Sequence, residues 1–542
     1  MMINPEDTMP TEQEAQLFID YFVAEARSIW TALARTYWNL ATTGEQRYKE
    51  EQVELRLQEH RLYEESDDWA RVQAFYAARH TFNPLLSRQV EVLHRYFRNN
   101  QSTPAENEAI ARLEADIQEI YYNHRAEVNG RRLSDNEIAE ILKNSGDEET
   151  RRQAWTGSKE VGARVAARIR ELVHLRNAIA RRLGFRDHYA FALVRQEIDE
   201  DDLFSLFDEL AALTEEPFRR LKAQIDERLA QQLGLPAGQP LAPWHYADPF
   251  FQEVPPIFAA DLDGFFAGVD VAELSRKAYA ATGLSVSDIL ERSDLYEREG
   301  KDQHAFCISI DREGDTRILC NLRPNGRWMS TQMHELGHAI YNKHLPLDLP
   351  YLLRTPAHTN STEAIAMLMG RLPRNPRWLR DVAGRDPDTV AAAAPDLARE
   401  LAAAQLILVR WVLVMMHFER ALYADPDRPD LDELWWQLVE KYQQIPRPEG
   451  RNAPDWAAKY HLALAPVYYH NYVLGELTTS QLERWIEREA GTLIDNPEAG
   501  RLLIDHFFAH GARYTWDELI EVATGEPLRP EYFVEQFVHA SQ

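Results

Sequence analysis

Residues 11–43, TEQEAQLFIDYFVAEARSIWTALARTYWNLATT, decide the fold class. Thr11 and Glu14 stand at the spacing of a capping box, in which a hydroxyl and a carboxylate satisfy the free N–H groups at the start of a helix. Behind them Phe18, Phe22, Ile29, Leu33 and Leu40 recur at steps of four and seven residues, which is the stripe of an amphipathic helix several turns long. The same rhythm returns at 106–128, 148–183, 201–233, 395–423 and 431–444, each stretch bounded by Gly, Pro, Asn or Asp. The chain therefore reads as mainly α.

One region breaks the rhythm. Residues 305–310 and 316–321 are short apolar runs around the turn-forming Asp311, Arg312, Glu313, Gly314 and Asp315, which predicts a small β-hairpin. Cys307 and Cys320 stand symmetrically about that turn, as cross-strand neighbours would. The expectation for them is two buried free thiols.

Composition removes several function classes. The 542 residues are 45% hydrophobic and 10% aromatic, enough to bury a large core, so wholesale disorder is excluded. With 87 acidic against 60 basic side chains and a net charge of -27, the chain repels phosphate backbones and anionic lipid, so neither nucleic acid nor an acidic membrane is expected as a general partner. Two cysteines cannot make a disulfide framework. The opening MMINPEDTMPTEQEAQ has neither a basic nor an apolar signal region, which leads us to expect a cytoplasmic protein. The most apolar stretch, 404–418, is shorter than a membrane span and contains Arg410, and it reads as a buried core helix. Length alone suggests three or four domains, yet no linker, repeat or compositional seam divides the chain.

The sharpest local pattern is His334-Glu335-Leu336-Gly337-His338. On a helix, histidines four residues apart project from one face and reach a single Zn²⁺. Glu335 then lies beside the metal without having to bind it, placed to take a proton from a water the metal has acidified and to pass it to the leaving amine. A catalytic zinc needs a third protein ligand, and Glu363, 25 residues beyond His338 at the start of another apolar helical segment, supplies a candidate. The Pro-rich residues 345–360 read as the loop that turns the chain back. Farther on stands a second cluster, Lys459, His461, Tyr468, Tyr469, His470, Asn471 and Tyr472. Tyr468 and Tyr472 have the spacing of one helical face, so one phenol is available to a developing oxyanion while the other holds substrate, with His461 as a further donor.

Taken together, these motifs resemble the angiotensin-converting-enzyme family of zinc peptidyl-dipeptidases, in particular its soluble single-domain bacterial members. The resemblance runs through Trp30, Tyr37-Trp38-Asn39 and Thr42-Thr43, then His304-Ala305 thirty residues before His334. It continues through the HELGH motif, Glu363, Trp435-Trp436, Lys441-Tyr442-Gln443 and Ala458-Lys459-Tyr460-His461. It implies a single domain over 1–542, a helical ellipsoid in which two helical lobes flank a deep central cleft, with little sheet beyond the hairpin near the zinc helix. It also implies one zinc held by His334, His338 and Glu363, Glu335 as general base, and His461 as the transition-state histidine. His304 and Ala305 would bind the backbone of an oligopeptide substrate, and Lys459 and Tyr468 would hold its free C-terminal carboxylate.

The departures carry expectations too. The position of the family's oxyanion tyrosine is Asn471, so Tyr472 is the candidate and Tyr469 the reserve. His470 replaces the family's chloride-binding arginine and Val439 replaces its partner, which predicts little chloride dependence. The glutamine of the carboxylate clamp is not evident near Trp244-His245-Tyr246-Ala247-Asp248, where Tyr246 is the candidate substitute. Two other readings compete: an oligopeptidase resembling thimet oligopeptidase and oligopeptidase F, without strict dipeptide release, and a non-catalytic peptide-binding protein. The presence of His334, Glu335, His338, Glu363 and His461 together argues against the last.

Overall fold

In the computed structural model, which describes residues 9–236, 238–258 and 261–538, the opening segment forms the helix Glu12–Thr43. Its capping box is complete: the Thr11 N–H donates to Glu14 Oε2 at 2.8 Å and the Glu14 N–H donates to Thr11 Oγ1 at 3.2 Å. Gly44, at φ 68°, ends it in the left-handed conformation that glycine adopts without a Cβ penalty. Phe18, Phe22 and Leu33 are buried, while Ile29 and Leu40 are half-buried. Phe22 lies 5.5 Å from Phe97 and 5.9 Å from Tyr63, ring to ring, so the apolar stripe becomes an aromatic core.

Among the described residues the architecture is mainly α, with two small antiparallel hairpins. The chain divides into two units. One comprises Met1–Gln101, Asp261–Ala394 and Gly475–Arg529; the other comprises Ser102–Ala260, Pro395–Leu474 and Pro530–Gln542.

In the first unit, strands Phe306–Ser309 and Thr316–Leu319 form the expected hairpin. Its register corrects one expectation, because Cys307 stands opposite Ile318 and not opposite Cys320. The cause is the turn. Asp311 Oδ1 accepts the N–H groups of Glu313 and Asp315 at 2.8 and 3.1 Å, and the Ile310 N–H closes onto the Asp315 carbonyl at 2.8 Å. The reversal is therefore centred one residue earlier than the symmetry of the cysteines suggests. Both thiols are free, Cys320 buried and Cys307 half-buried. The zinc-motif helix is Gly326–Lys343, capped by the Asn325 side chain, and the segment carrying Glu363 is the helix Thr359–Arg371.

In the second unit, the helices Glu148–Arg182, Glu200–Leu233 and Leu431–Gln443 match their sequence periods closely. The stretch 106–128 does not. Its helix is Pro104–Asn123, and Ala126–Val128 turns into a strand paired with Arg131–Leu133, a second hairpin that periodicity alone did not reveal. Asn129 and Gly130, both at positive φ, make the turn and override the helical pattern. The helix expected at 395–423 is Pro387–Ala424, with Pro395 inside it. Pro395 removes one backbone bond from this helix, and burial of its long apolar face offsets that loss. This helix is long and apolar enough to cross a membrane by composition, but 78% of its most apolar window is buried within the protein, as the reading of 404–418 as a core helix requires.

Candidate active site

The first unit assembles the metal-binding pattern. His334 and His338, one turn apart, place their rings 4.9 Å from each other. Glu363 Oε2 lies 3.6 Å from His334 Nε2 and 3.8 Å from His338 Nε2. Ligands about 2.0–2.2 Å from a tetrahedral zinc are about 3.3–3.6 Å apart, so the three atoms fit such an ion with little adjustment. The donor set, two imidazoles and a carboxylate, is one that zinc favours. His338 Nδ1 lies 2.7 Å from Thr362 Oγ1, a contact that orients the ring and, with Nδ1 as the donor, leaves the Nε2 lone pair for a metal. All three side chains keep some solvent access, 30%, 14% and 23% exposed, as an open coordination position needs.

The electrostatics point the same way. Burial holds His334 down to about 4 and His338 to about 3, so both imidazoles are neutral at neutral pH. Burial raises Glu363 to about 7, and burial together with the Glu363 charge raises Glu335 to about 8. Among the described residues no lysine or arginine pairs with Glu363. Two desolvated carboxylates beside two neutral imidazoles form a site that a dication stabilises.

Packing explains why Glu363 stands where it does. A Cβ on Gly337, inside the zinc motif, would lie 2.6 Å from Ala366 Cα, so glycine lets the two helices approach closely. Behind Glu363 passes the helix His470–Ala490, where a Cβ on Gly475 would meet Glu363 Cβ at 3.4 Å. Thr479 Oγ1 donates to the Ala364 carbonyl at 3.0 Å, and a buried ion pair joins Arg371 to Glu476. His358 caps the Glu363 helix, its Nδ1 accepting from the Asn360 N–H at 3.0 Å. Glu335 is buried on the other side, where its charge raises the Cys307, Cys320 and Tyr279 side chains, each already raised by its own burial. His304 and Ala305 lead directly into the strand Phe306–Ser309. His304 is exposed, its backbone N–H bound to Asp302 Oδ1 at 3.0 Å.

The second unit gathers the other cluster. The His461 ring lies 4.0 Å from Tyr460 and 4.8 Å from Tyr469. Burial and the charge of Lys459 hold His461 down to about 4, and its Nδ1 is buried without a hydrogen-bond partner. The Tyr468 and Tyr472 rings meet edge to face at 5.3 Å, but not as one helical face: Tyr468 precedes the helix that begins at His470. Tyr472 is half-buried, whereas Tyr469 is 6% exposed and packed between Trp411 and His461.

Tyr246 is fully buried, and its hydroxyl donates to Asp226 Oδ1 at 2.9 Å, so it packs the interior and offers no free donor to a substrate carboxylate. The residue that sequence reasoning missed is Gln252, whose Oε1 accepts from Lys459 Nζ at 2.8 Å. Its loop is firmly held. Asp248 accepts the N–H groups of Phe250, Gln252 and Glu253 at 2.8–3.0 Å, and Gln443 Nε2 donates to the carbonyls of Phe250 and Phe251 at 2.9 and 2.8 Å. No local motif marks Gln252, because its partner is 207 residues away.

The family model for peptidase family M3 matches residues 141–539, well over half of the chain and all of the metal-binding pattern. The chain belongs to peptidase family M3. The family model for angiotensin-converting enzyme matches residues 9–241 of this M3 peptidase. Among curated proteins it is similar to the angiotensin-converting enzyme of Theromyzon tessulatum, 21% identical over 72% of this chain and 68% of that one. The enzymes of the same name from Mesocricetus auratus and Rattus norvegicus are each 23% identical over 45% and 41% of this chain, which spans only 20% and 18% of their length. Peptidases of these two families are zinc enzymes, and the His334, His338 and Glu363 group is suited to that metal. The M3 peptidase is thus a zinc metallopeptidase acting on peptides.

Proposed function

We propose that this chain is a peptidyl-dipeptidase, a single catalytic domain that removes dipeptides from the free C-termini of oligopeptides in the cytoplasm. The Lys459–Gln252 pair carries the reading, because an ammonium and an amide that the fold brings together from two loops match the charge and hydrogen bonds of a carboxylate. In this reading His334, His338 and Glu363 hold zinc, which when bound supplies Lewis-acid polarisation and acidifies water. Glu335 takes the proton from the attacking water and delivers it to the leaving amine. His461, a neutral imidazole, and Tyr472 donate hydrogen bonds to the oxyanion, with Tyr469 packed behind them. His304 and Ala305 align the peptide backbone. Lys459, Gln252 and Tyr468 bind the terminal carboxylate, and an anion fixed at one distance from the scissile bond sets the cleavage register.

One observation favours the oligopeptidase reading: the M3 family model covers the zinc motif and the His461 cluster, whereas the angiotensin-converting-enzyme model ends at residue 241. A product map separates the two. Matched oligopeptides with free and amidated C-termini are digested by enzyme of measured zinc content, and the fragments are weighed. Dipeptides from the free series alone support the proposal. Equal cleavage of the amidated series makes the chain an oligopeptidase without a carboxylate requirement.

A further inference from the structure

Val467 stands at φ 53°, in the left-handed region that a β-branched side chain occupies only under constraint. It is buried, and both of its backbone groups are taken by side chains. Its N–H donates to Glu419 Oε1 at 2.8 Å, and its carbonyl accepts from Gln196 Nε2 at 3.1 Å. The other end of the same amide, Gln196 Oε1, accepts from Asn471 Nδ2 at 2.7 Å and lies 3.1 Å from His470 Nε2. Gln196 Nε2 is also anchored on the Ala192 carbonyl at 3.0 Å. All of these residues belong to the second unit.

Val467 is the last residue before Tyr468 and Tyr469, and Tyr472 follows one turn later. A residue forced into left-handed backbone redirects everything that follows it. Strain of this kind persists where the surroundings over-determine it, and it gathers at functional sites. Glu419 is itself almost wholly buried on the long helix Pro387–Ala424. Burial pushes its carboxyl up to about 8, so at neutral pH much of it is the neutral acid, close to a glutamine in shape and bonding. Near it, Arg176 is tied to Tyr423 Oη at 3.1 Å and to the Ala463 carbonyl at 2.6 Å, which braces the His461–Leu464 turn from the other end.

We propose that Glu419 and Gln196 are positioning residues that together hold Val467 in its left-handed conformation and thereby aim the Tyr468, Tyr469 and Tyr472 rings. The consequence for catalysis rests on the function proposed above; the consequence for ring geometry does not. Glu419→Leu removes the acceptor for the Val467 N–H at similar volume, Glu419→Gln keeps an acceptor, and Val467→Gly allows left-handed backbone without the clamp.

The test has two readouts on zinc-loaded enzyme whose folding is checked by circular dichroism: peptide kinetics, and ¹⁹F NMR of protein carrying 3-fluorotyrosine, with the three resonances assigned by Tyr→Phe variants. E419L is expected to lower kcat at least about tenfold with KM within about threefold, and to move the three resonances. E419Q is expected to match the parent on both readouts, and V467G in the E419L background to recover most of both. A purely structural lesion would not be repaired by the added glycine. If E419L does not fold, Gln196→Met, which frees the Val467 carbonyl, replaces it. Unmoved resonances in a folded clamp variant, or no recovery with V467G, overturn the proposal. Resonances that move and return while peptide turnover stays constant uphold the clamp and instead remove the tyrosines from the catalytic reading.

Discussion

Lys459 Nζ donates to Gln252 Oε1 at 2.8 Å, joining two residues that lie on different loops. The lysine is almost wholly buried, with the rings of Phe250, Trp411 and Tyr469 5.2–5.7 Å away. An ammonium placed among aromatic faces and tied to one neutral amide retains charge for an incoming anion. Lys459→Met and Gln252→Leu are therefore expected to raise KM for free-C-terminal peptides. A charge-assisted hydrogen bond contributes about 1.5–3 kcal/mol, which predicts a rise of roughly ten- to a hundredfold for the lysine variant. Peptides amidated at the C-terminus should lose far less. An equal loss for both substrates would show that the pair serves packing alone.

The same lysine predicts a pH dependence. Burial, only partly offset by the Asp248 and Glu253 charges, holds Lys459 down to about 8. The ammonium is present below that value and lost above it, so affinity for a terminal carboxylate should weaken as pH rises through about 8. KM for free-C-terminal peptides is expected to climb towards about tenfold per pH unit beyond that point. Initial rates from pH 6.5 to 9.5, with an amidated substrate as control, measure this. A flat KM across the range would remove Lys459 from substrate binding.

Glu335 supports a sharper prediction. Glu335→Gln keeps the shape of a buried side chain that is not one of the three candidate ligands, so zinc content by atomic absorption should stay at the parent level. The amide cannot accept a proton, and turnover should fall by about a hundred- to ten-thousand-fold. Substantial activity in a zinc-replete E335Q sample would exclude Glu335 as the base.

What the sequence made legible is the chemistry confined to short windows. The histidines of the HELGH motif are one helical turn apart, so their common face follows from the helix period, and Glu363 follows from the need for a third ligand on the next helix. Long-range partners were not legible. Tyr246 has the composition of a clamp residue, yet Asp226 claims its hydroxyl, while Gln252 sits in an unremarkable loop that only the fold brings to Lys459. Cys307 and Cys320 look symmetric in sequence, but Asp311 sets the turn one residue earlier and breaks the symmetry. Val467 carries no local sign of left-handed backbone, because its constraint comes from Glu419 and Gln196, 48 and 271 residues away.

Replacing chloride with acetate at constant ionic strength should change turnover by less than about twofold, the scale of a nonspecific ionic effect. His470 is buried and engaged with Gln196, and Val439 offers no charge to the cavity that it lines with Trp155, Trp435 and Trp436. A several-fold loss without chloride would contradict this. It would direct attention to Lys159, the buried lysine in the wall of that same cavity, which burial lowers to about 7.

Gly337 tests whether helix contact places the third ligand. A Cβ there would lie 2.6 Å from Ala366 Cα and 3.0 Å from the Ile365 carbonyl, both backbone atoms that no rotamer change can move aside. Gly337→Ala must therefore push the zinc-motif helix away from the helix that carries Glu363, with a stability loss of about 1–3 kcal/mol. Because Glu363 follows its helix while both histidines stay with theirs, the displacement opens the 3.6 and 3.8 Å separations that suit a tetrahedral ion. Zinc affinity, measured by competition with a chelator, should fall by more than the thermal stability of the metal-free protein alone would imply. Leu336→Met, a volume-conserving change at the neighbouring buried position, is the control and should leave the metal affinity near the parent value. If G337A lowers stability but binds zinc as tightly as the parent, the close approach at Gly337 serves packing and Glu363 is placed by the Arg371–Glu476 and Thr479–Ala364 contacts behind it.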